Sequence, residues 1–191
     1  MTFVLDQTFG GADNATSTNI RQFFGANSLI SASGTRCRLT FNFWPSSPDI
    51  PVAYTSVYFG QGGVTAPNFT GDQVHVLFGG GSSVHAPAGG GDVVSDIFTL
   101  PQSWDVTHSY VCAFYCSANM TGNAGFGTAT ALAGVNAYEL ASGTDESANT
   151  TPSAMGSVGG VELSLRRIEI TTAPVSNLVL GGNRGFTRIQ L

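Results

Sequence analysis

Arg36-Cys37-Arg38-Leu39-Thr40-Phe41-Asn42-Phe43-Trp44 alternates without a break. Cys37, Leu39, Phe41 and Phe43 fall on one side, and Arg38, Thr40, Asn42 and Trp44 on the other. A period of two is the signature of a strand with one buried and one polar face. Working outward, the same pattern predicts strands at Ala53–Phe59, Gln73–Phe78, Val93–Leu100, Ser109–Ser117 and Val161–Thr171. In Ser109–Ser117 the residues Tyr110, Cys112, Phe114 and Cys116 share a face. Ser176–Leu180 and Phe186–Leu191 read as short closing strands around Gly181-Gly182-Asn183.

Between these runs lie Gly60–Gly63, Gly79–Gly81, Gly89–Gly91 and the long small-residue stretch Ser142–Gly160. Glycine supplies the positive φ that tight turns demand, while Asn, Asp and Pro fix their geometry. Neither glycine triplet ends in Gly-Lys-Ser/Thr, so they read as hairpin glycines and not as a phosphate loop. Helical periodicity is weak, with Asn19–Phe24 its best candidate. Many short strands separated by turns predict an all-β chain forming a single antiparallel β-sandwich, jelly-roll-like in its wrap. Its expected extent is 1–191, with 1–34 as an N-terminal arm or first strand and 172–191 as a closing strand or tail. Residues 118–160 fit strand, loop or short helix equally well.

Composition narrows the function classes. The 191 residues include 13 Phe, enough for a substantial core, yet only 10% are charged. No apolar run approaches the roughly 20 residues that span a bilayer, so membrane insertion is not expected. All seven basic residues are arginines, and the net charge is −5. Without a basic stripe in the sequence, nucleic-acid binding is not expected either, because it rests on neutralising phosphates. The opening Met1–Asp6 does not read as a secretory signal. Three cysteines, Cys37, Cys112 and Cys116, form no CxxC and lie on the core-facing side of their strands. The three histidines and scattered aspartates show no paired metal-ligand spacing, so the expectation is no metal and no cofactor.

Six short runs follow one another in a familiar order: Arg38–Phe41, Ser56–Gly60, Val76–Gly80, Pro87–Gly91, Val93–Leu100 and Tyr110–Tyr115. This order resembles the jelly-roll accessory domain, itself similar to carbohydrate-binding modules, that precedes the catalytic domain of some bacterial SGNH/GDSL-type esterases. The resemblance covers about residues 35–117. Leu165–Ile170 also resembles the closing strand of small phage-encoded β-sandwich proteins. The esterase family requires a Gly-Asp-Ser nucleophile block, which this chain lacks. Asp72-Gln73-Val74-His75 and Asp105-Val106-Thr107-His108 match its Asp-x-x-His spelling, but a base and orienting acid without a nucleophile make no hydrolase. Both are expected to be turn or strand-edge residues, and the chain is expected not to be an enzyme.

Sugar recognition is the function that suits such a fold. Sugars stack on aromatic rings while amides, carboxylates and guanidinium groups bond their hydroxyls. Trp104 lies in the polar connector Pro101–Asp105, which makes Trp104, Asp105 and Gln102 the candidate ligand-binding residues, with Trp44 a further one. Tyr54, Tyr58 and Tyr138 are weaker candidates, and any of these aromatics could instead fill the sandwich or a subunit interface. The leading expectation is a non-catalytic surface protein of a phage or phage-like particle. It would be a homo-oligomer made in the cytoplasm and sited on the particle surface, touching other particle proteins and host cell-surface glycan. The alternative is a free carbohydrate-binding module or an accessory domain of an esterase system.

Overall fold

The computed structural model describes residues 2–6, 12–13, 18–45, 47–116, 126–129, 133–158, 161–163 and 165–172. Among these residues the regular elements are strands throughout. In chain order they are β1 (Thr2–Asp6), β2 (Ala12–Asp13), β3 (Thr18–Phe24), β4 (Arg36–Phe43), β5 (Ile50–Gln61), β6 (Val74–His75), β7 (Val84–Ala86) and β8 (Gly91–Val94). They continue as β9 (Phe98–Thr99), β10 (Tyr110–Cys116), β11 (Phe126–Ala129), β12 (Val135–Ala141), β13 (Gly156–Val158), β14 (Val161–Leu163) and β15 (Leu165–Thr171).

Two antiparallel sheets pack face to face. The smaller runs β1-β15-β4-β8, with β9 also on β4; the larger runs β13-β12-β3-β10-β5-β6, with β7 on β5. A third ladder, β14-β11-β2, is separate from both. Along the chain the main strands switch sheet repeatedly: β3 belongs to the larger, β4 to the smaller, β5 to the larger, β8 to the smaller and β10 to the larger. The first strand and the last described one, β1 and β15, are neighbours. The expected β-sandwich is therefore the fold.

The alternation read in 36–44 is realised. Cys37, Leu39, Phe41 and Phe43 are all buried, and so are Tyr110, Cys112, Phe114 and Cys116 opposite them. Their rings interlock across the interior. Tyr54 lies 4.6 Å from Phe114 and 5.6 Å from Phe41, and Phe59 stacks on Tyr110 at 5.9 Å. Each fully buried aromatic or aliphatic side chain contributes on the order of 1.5–3 kcal/mol. One connected cluster reaches from Val4 to Ile170, and β1 and β3 contribute Val4, Leu5, Ile20 and Phe24 to it.

Several expectations are corrected in detail. Thr18–Phe24 is a strand between β12 and β10, not a helical turn: Ile20 and Phe24 alternate into the core. The segment 93–100 breaks into β8 and β9 because Asp96 turns aside. Its carboxylate accepts the backbone N–H groups of Gly79 (3.1 Å) and Gly80 (2.7 Å), two glycines with φ of 58° and 82°. In the segment 73–78 the regular strand is limited to β6, after which Val76 N–H still bonds the Val57 carbonyl at 2.9 Å and Phe78 forms an isolated bridge with Gly81. The segment 161–171 divides into β14 and β15. The ambiguous 118–160 stretch contains β11, β12 and β13. The expected strands at 176–180 and 186–191 lie outside the described residues.

Candidate functional site

The Pro101–Asp105 connector does not present a sugar platform. Trp104 is 4% exposed. Its ring stacks on Tyr110 at 4.0 Å and 11°, and its indole Nε1–H donates to the Ile30 carbonyl at 3.3 Å. Its backbone N–H is tied to Gly34 as well. A large apolar ring beside the open end of the sandwich gains more by closing that end than by meeting water. Asp105 and Gln102 are exposed beside it. The Asp105 carboxylate accepts the N–H and hydroxyl of Thr107 at 2.9 and 2.8 Å, and these bonds hold its pKa below the usual carboxylate range. It is a turn-capping group.

The other Asp-x-x-His pair is divided in the same way. Asp72 accepts the Gln61 N–H and the Thr70 hydroxyl, while His75 stacks on Tyr58 at 4.8 Å. His108 meets the Gln61 amide at 3.1 Å. Neither aspartate orients its partner imidazole. All three thiols are buried, and burial raises the pKa of Cys37 and Cys112, so those two remain protonated and unreactive. Among the described residues no three His, Cys, Asp or Glu side chains gather as a metal site.

The outer face of the larger sheet carries Asn19, Arg21 and Phe23 on β3, Tyr58 on β5 and Val111 and Ala113 on β10. It is covered by the chain itself. The 142–153 loop lies across it, fixed by Asn19, which donates to the Thr144 carbonyl at 2.8 Å and accepts the Glu146 N–H at 2.6 Å. Arg21 is 1% exposed. Its guanidinium donates to the carbonyls of Pro67 (3.1 Å), Glu146 (3.1 Å) and Asn149, and sits 4.8 Å over the Phe69 ring. Burial draws its pKa down to about 10, against the opposing pull of Glu146, which leaves it charged at neutral pH. Asp145 closes the other side, bonded to Thr55, Ser56 and Ser147.

The outer face of the smaller sheet is built differently. Cross-strand register sets Thr99, Arg36 and Thr171 in one row, Arg38 with Glu169 and Phe3 in the next, and then Val94, Thr40, Arg167 and Asp6. Asn42 and Asp92 follow, with Arg166 beside them at the bulge. Arg38 grips Glu169 with two bonds, 2.6 and 2.9 Å. Arg166 meets Asp92 at 2.6 Å, Asn42 meets the same carboxylate at 2.6 Å, and Arg167 meets Asp6 at 3.1 Å while lying 4.5 Å over Phe3. Burial acts to raise the Asp92 pKa, but the bonds from Arg166 and Asn42 and the nearby arginine charges outweigh it and hold the pKa down. The result is a polar sheet face of guanidinium, carboxylate, amide and hydroxyl groups, bordered by the exposed apolar Phe3 and Val94.

Trp44, half-buried, follows directly on β4 at one end of this face. Its carbonyl accepts Ser47 N–H at 2.8 Å, and the 87–91 turn closes upon it. Gly90 has φ of 73°, and a Cβ there would stand 2.1 Å from the Trp44 oxygen, so only glycine permits that approach. The exposed Asp49, just before β5, pairs with His85 of β7 at 2.5 Å. Of the four candidate residues, Trp44 alone has an aromatic ring that is partly open.

Reading along the sequence missed the smaller sheet's polar face. Arg36 and Arg38 are separated from Arg166 and Arg167 by well over a hundred residues, so no basic stripe is visible until β4 and β15 pair. The available signal was the alternate spacing of Arg36 and Arg38. No family model matches this chain, and a search of curated proteins finds no match.

Proposed function

We propose that this chain is a non-catalytic surface protein of a phage or phage-like particle, as a head decoration, fibre or spike, or tail-associated module. In this reading it presents the outer face of its smaller sheet to cell-surface polysaccharide. The observation that carries the reading is the contrast between the two outer faces. One is covered by the chain's own 142–153 loop, and the other displays Arg36, Arg38, Asn42, Asp92 and Arg166, the donors and acceptors that bind sugar hydroxyls, with Trp44 at its end. The separate engagements of Asp72, His75, Asp105 and His108 support a binding role over a hydrolytic one.

A particle protein is built into a larger assembly, and exposed apolar side chains support that part of the reading. Val94, Ile97 and Leu77 are 46%, 36% and 37% exposed. They lie at one edge of the smaller sheet, where Asp96 N–H bonds the Leu77 carbonyl at 2.8 Å. Such patches mark contacts with other protein, here further copies of the chain or neighbouring particle proteins. Synthesis in the cytoplasm and display on the particle belong to the same proposal.

The test is sedimentation of the purified chain with a panel of insoluble bacterial surface polysaccharides, alongside Trp44→Ala and Trp104→Phe. Saturable binding, reduced by Trp44→Ala and kept by Trp104→Phe, is expected. Loss of binding across the whole panel would remove the adhesive half of the proposal. A monomer in sedimentation velocity, failing to join particles, would instead favour a free carbohydrate-binding module.

A further inference from the structure

We propose that the glycan taken by the smaller sheet's outer face bears carboxylates, and that Arg36 is the guanidinium that receives one. This rests on the polysaccharide-binding reading above and gives it a chemical class. The five described arginines divide sharply. Arg38, Arg166 and Arg167 each engage a carboxylate of this face, and Arg21 is consumed by three carbonyls under the loop. The Arg36 side chain makes no hydrogen bond or ion pair among the described residues, and its Nε is buried without a partner; the Arg167 Nε is unpartnered too, but that guanidinium still holds Asp6 through a terminal nitrogen.

An Nε–H left in this state is costly, because a buried donor without an acceptor forfeits its hydration and gains nothing in return, while the rest of this half-buried side chain reaches toward the surface. Its neighbours do not relieve it. The carboxylate one row away in register, Glu169, is only 5% exposed and already holds Arg38 with both oxygens. The residues flanking Arg36 in register are Thr99, exposed on β9, and Thr171 on β15. The face as a whole sets four guanidinium groups (Arg36, Arg38, Arg166, Arg167) against three carboxylates (Asp6, Asp92, Glu169), in a chain whose net charge is −5. The surplus positive charge on this sheet is therefore Arg36.

The planar fork of arginine takes a carboxylate with two parallel bonds, and a phosphate fits the same fork, so the oligothymidylate arm of the test below separates the two. Threonine hydroxyls beside it suit the ring hydroxyls next to a uronic acid carboxylate. Trp44 lies at the opposite end of the same strand, roughly 26 Å away by strand rise. A chain polysaccharide running along β4 reaches both, which adds contacts without requiring a deep pocket.

The experiment is calorimetric titration of the full chain at low salt with oligogalacturonate, its methyl ester, a neutral dextran oligomer and oligothymidylate. Arg36→Gln and Arg36→Lys are compared, with circular dichroism melts to confirm that both fold as the parent does. The expected result is binding of oligogalacturonate that falls at least tenfold with Arg36→Gln and with methyl esterification. Arg36→Lys should be intermediate, because it keeps the charge and loses the fork. Unchanged affinity in Arg36→Gln, or equal affinity for the ester, overturns the assignment. Equal binding of oligothymidylate overturns it too, showing a general attraction for polyanions. Binding of dextran alone defeats the carboxylate class and leaves the polysaccharide reading standing, whereas binding of no sugar defeats both.

Discussion

The two outer faces of this sandwich use the same residue type for opposite ends. On the larger sheet, Arg21 is enclosed by Phe69 and by the carbonyls of Pro67, Glu146 and Asn149, with no carboxylate bonded to it. On the smaller sheet, Arg38, Arg166 and Arg167 meet carboxylates at a solvated surface. The first arrangement gathers backbone acceptors from the 65–73 and 142–153 segments, so one side chain ties the two together beside the bonds that Asn19 and Asp145 make to the same loop. The second cross-links neighbouring strands while leaving their polar edges toward water. A buried guanidinium bound to carbonyls is a structural bolt; a paired one on an open sheet is a surface available to a partner.

The largest expected effect follows from removing the bolt. Arg21→Met leaves three carbonyls facing an apolar side chain and should cost about 3 kcal/mol, at roughly 1–3 kcal/mol for each acceptor left unsatisfied with partial relief from water. Urea unfolding measures that loss, and limited proteolysis should show new cleavage within 142–153. A loop that stays protected in Arg21→Met would break the comparison, since Asn19 and Asp145 would then suffice to hold it.

Next in size is Arg38→Gln, which strands the nearly buried Glu169 carboxylate and should cost about 2 kcal/mol in urea unfolding. Glu169→Gln made together with it should recover part of the loss, because the uncompensated charge is then gone.

Acid should weaken both faces by a smaller amount. Burial acts to raise the Asp145 pKa, but the bonds from Ser147, Ser56 and Thr55 outweigh it and hold the group below its ordinary value; Asp92 behaves likewise. A carboxylate whose folded pKa is depressed stabilises the fold fully above its unfolded value, near 3.9 for Asp, and loses that contribution as pH falls through the folded value. The urea midpoint should therefore be flat from pH 7 to about 5 and drop below about 4. Asp145→Asn should flatten the part of the drop that belongs to the covered face.

Smallest of all, Arg167→Gln should cost no more than about 0.5 kcal/mol, because the Asp6 pair is exposed and screened. That cost should vanish in about 1 M salt, where the Debye length is near 3 Å. A loss as large as that of Arg21→Met would show that the open face is also structural.

The fold was legible where burial is one-sided. The alternation of Arg36–Phe43 and of Tyr110–Cys116 survives because water lies beyond one face of each pattern. It failed at Thr18–Phe24, whose outward residues Asn19 and Arg21 are buried by a loop from more than a hundred residues away, so polar residues occupy a strand enclosed on both sides. It failed also at Val135–Ala141, where Ala, Glu and Leu are better helix formers than strand formers and the register against β3 decides the outcome. Trp104 misled because its sequence neighbours are polar while its spatial neighbours are Tyr110 and Ile30. The arginine lattice was invisible because it exists only after β15 returns to pair with β4.

The most direct test of the account is an amide chemical-shift map of the isotopically labelled chain titrated with oligogalacturonate. Saturable shifts confined to the smaller sheet are expected, at Arg36, Arg38, Thr40, Asn42, Thr99 and Glu169, with Asn19, Arg21, Tyr58 and Ser147 unmoved. Shifts centred on the loop-covered face, or on the Pro101–Asp105 connector with the smaller sheet silent, would contradict it.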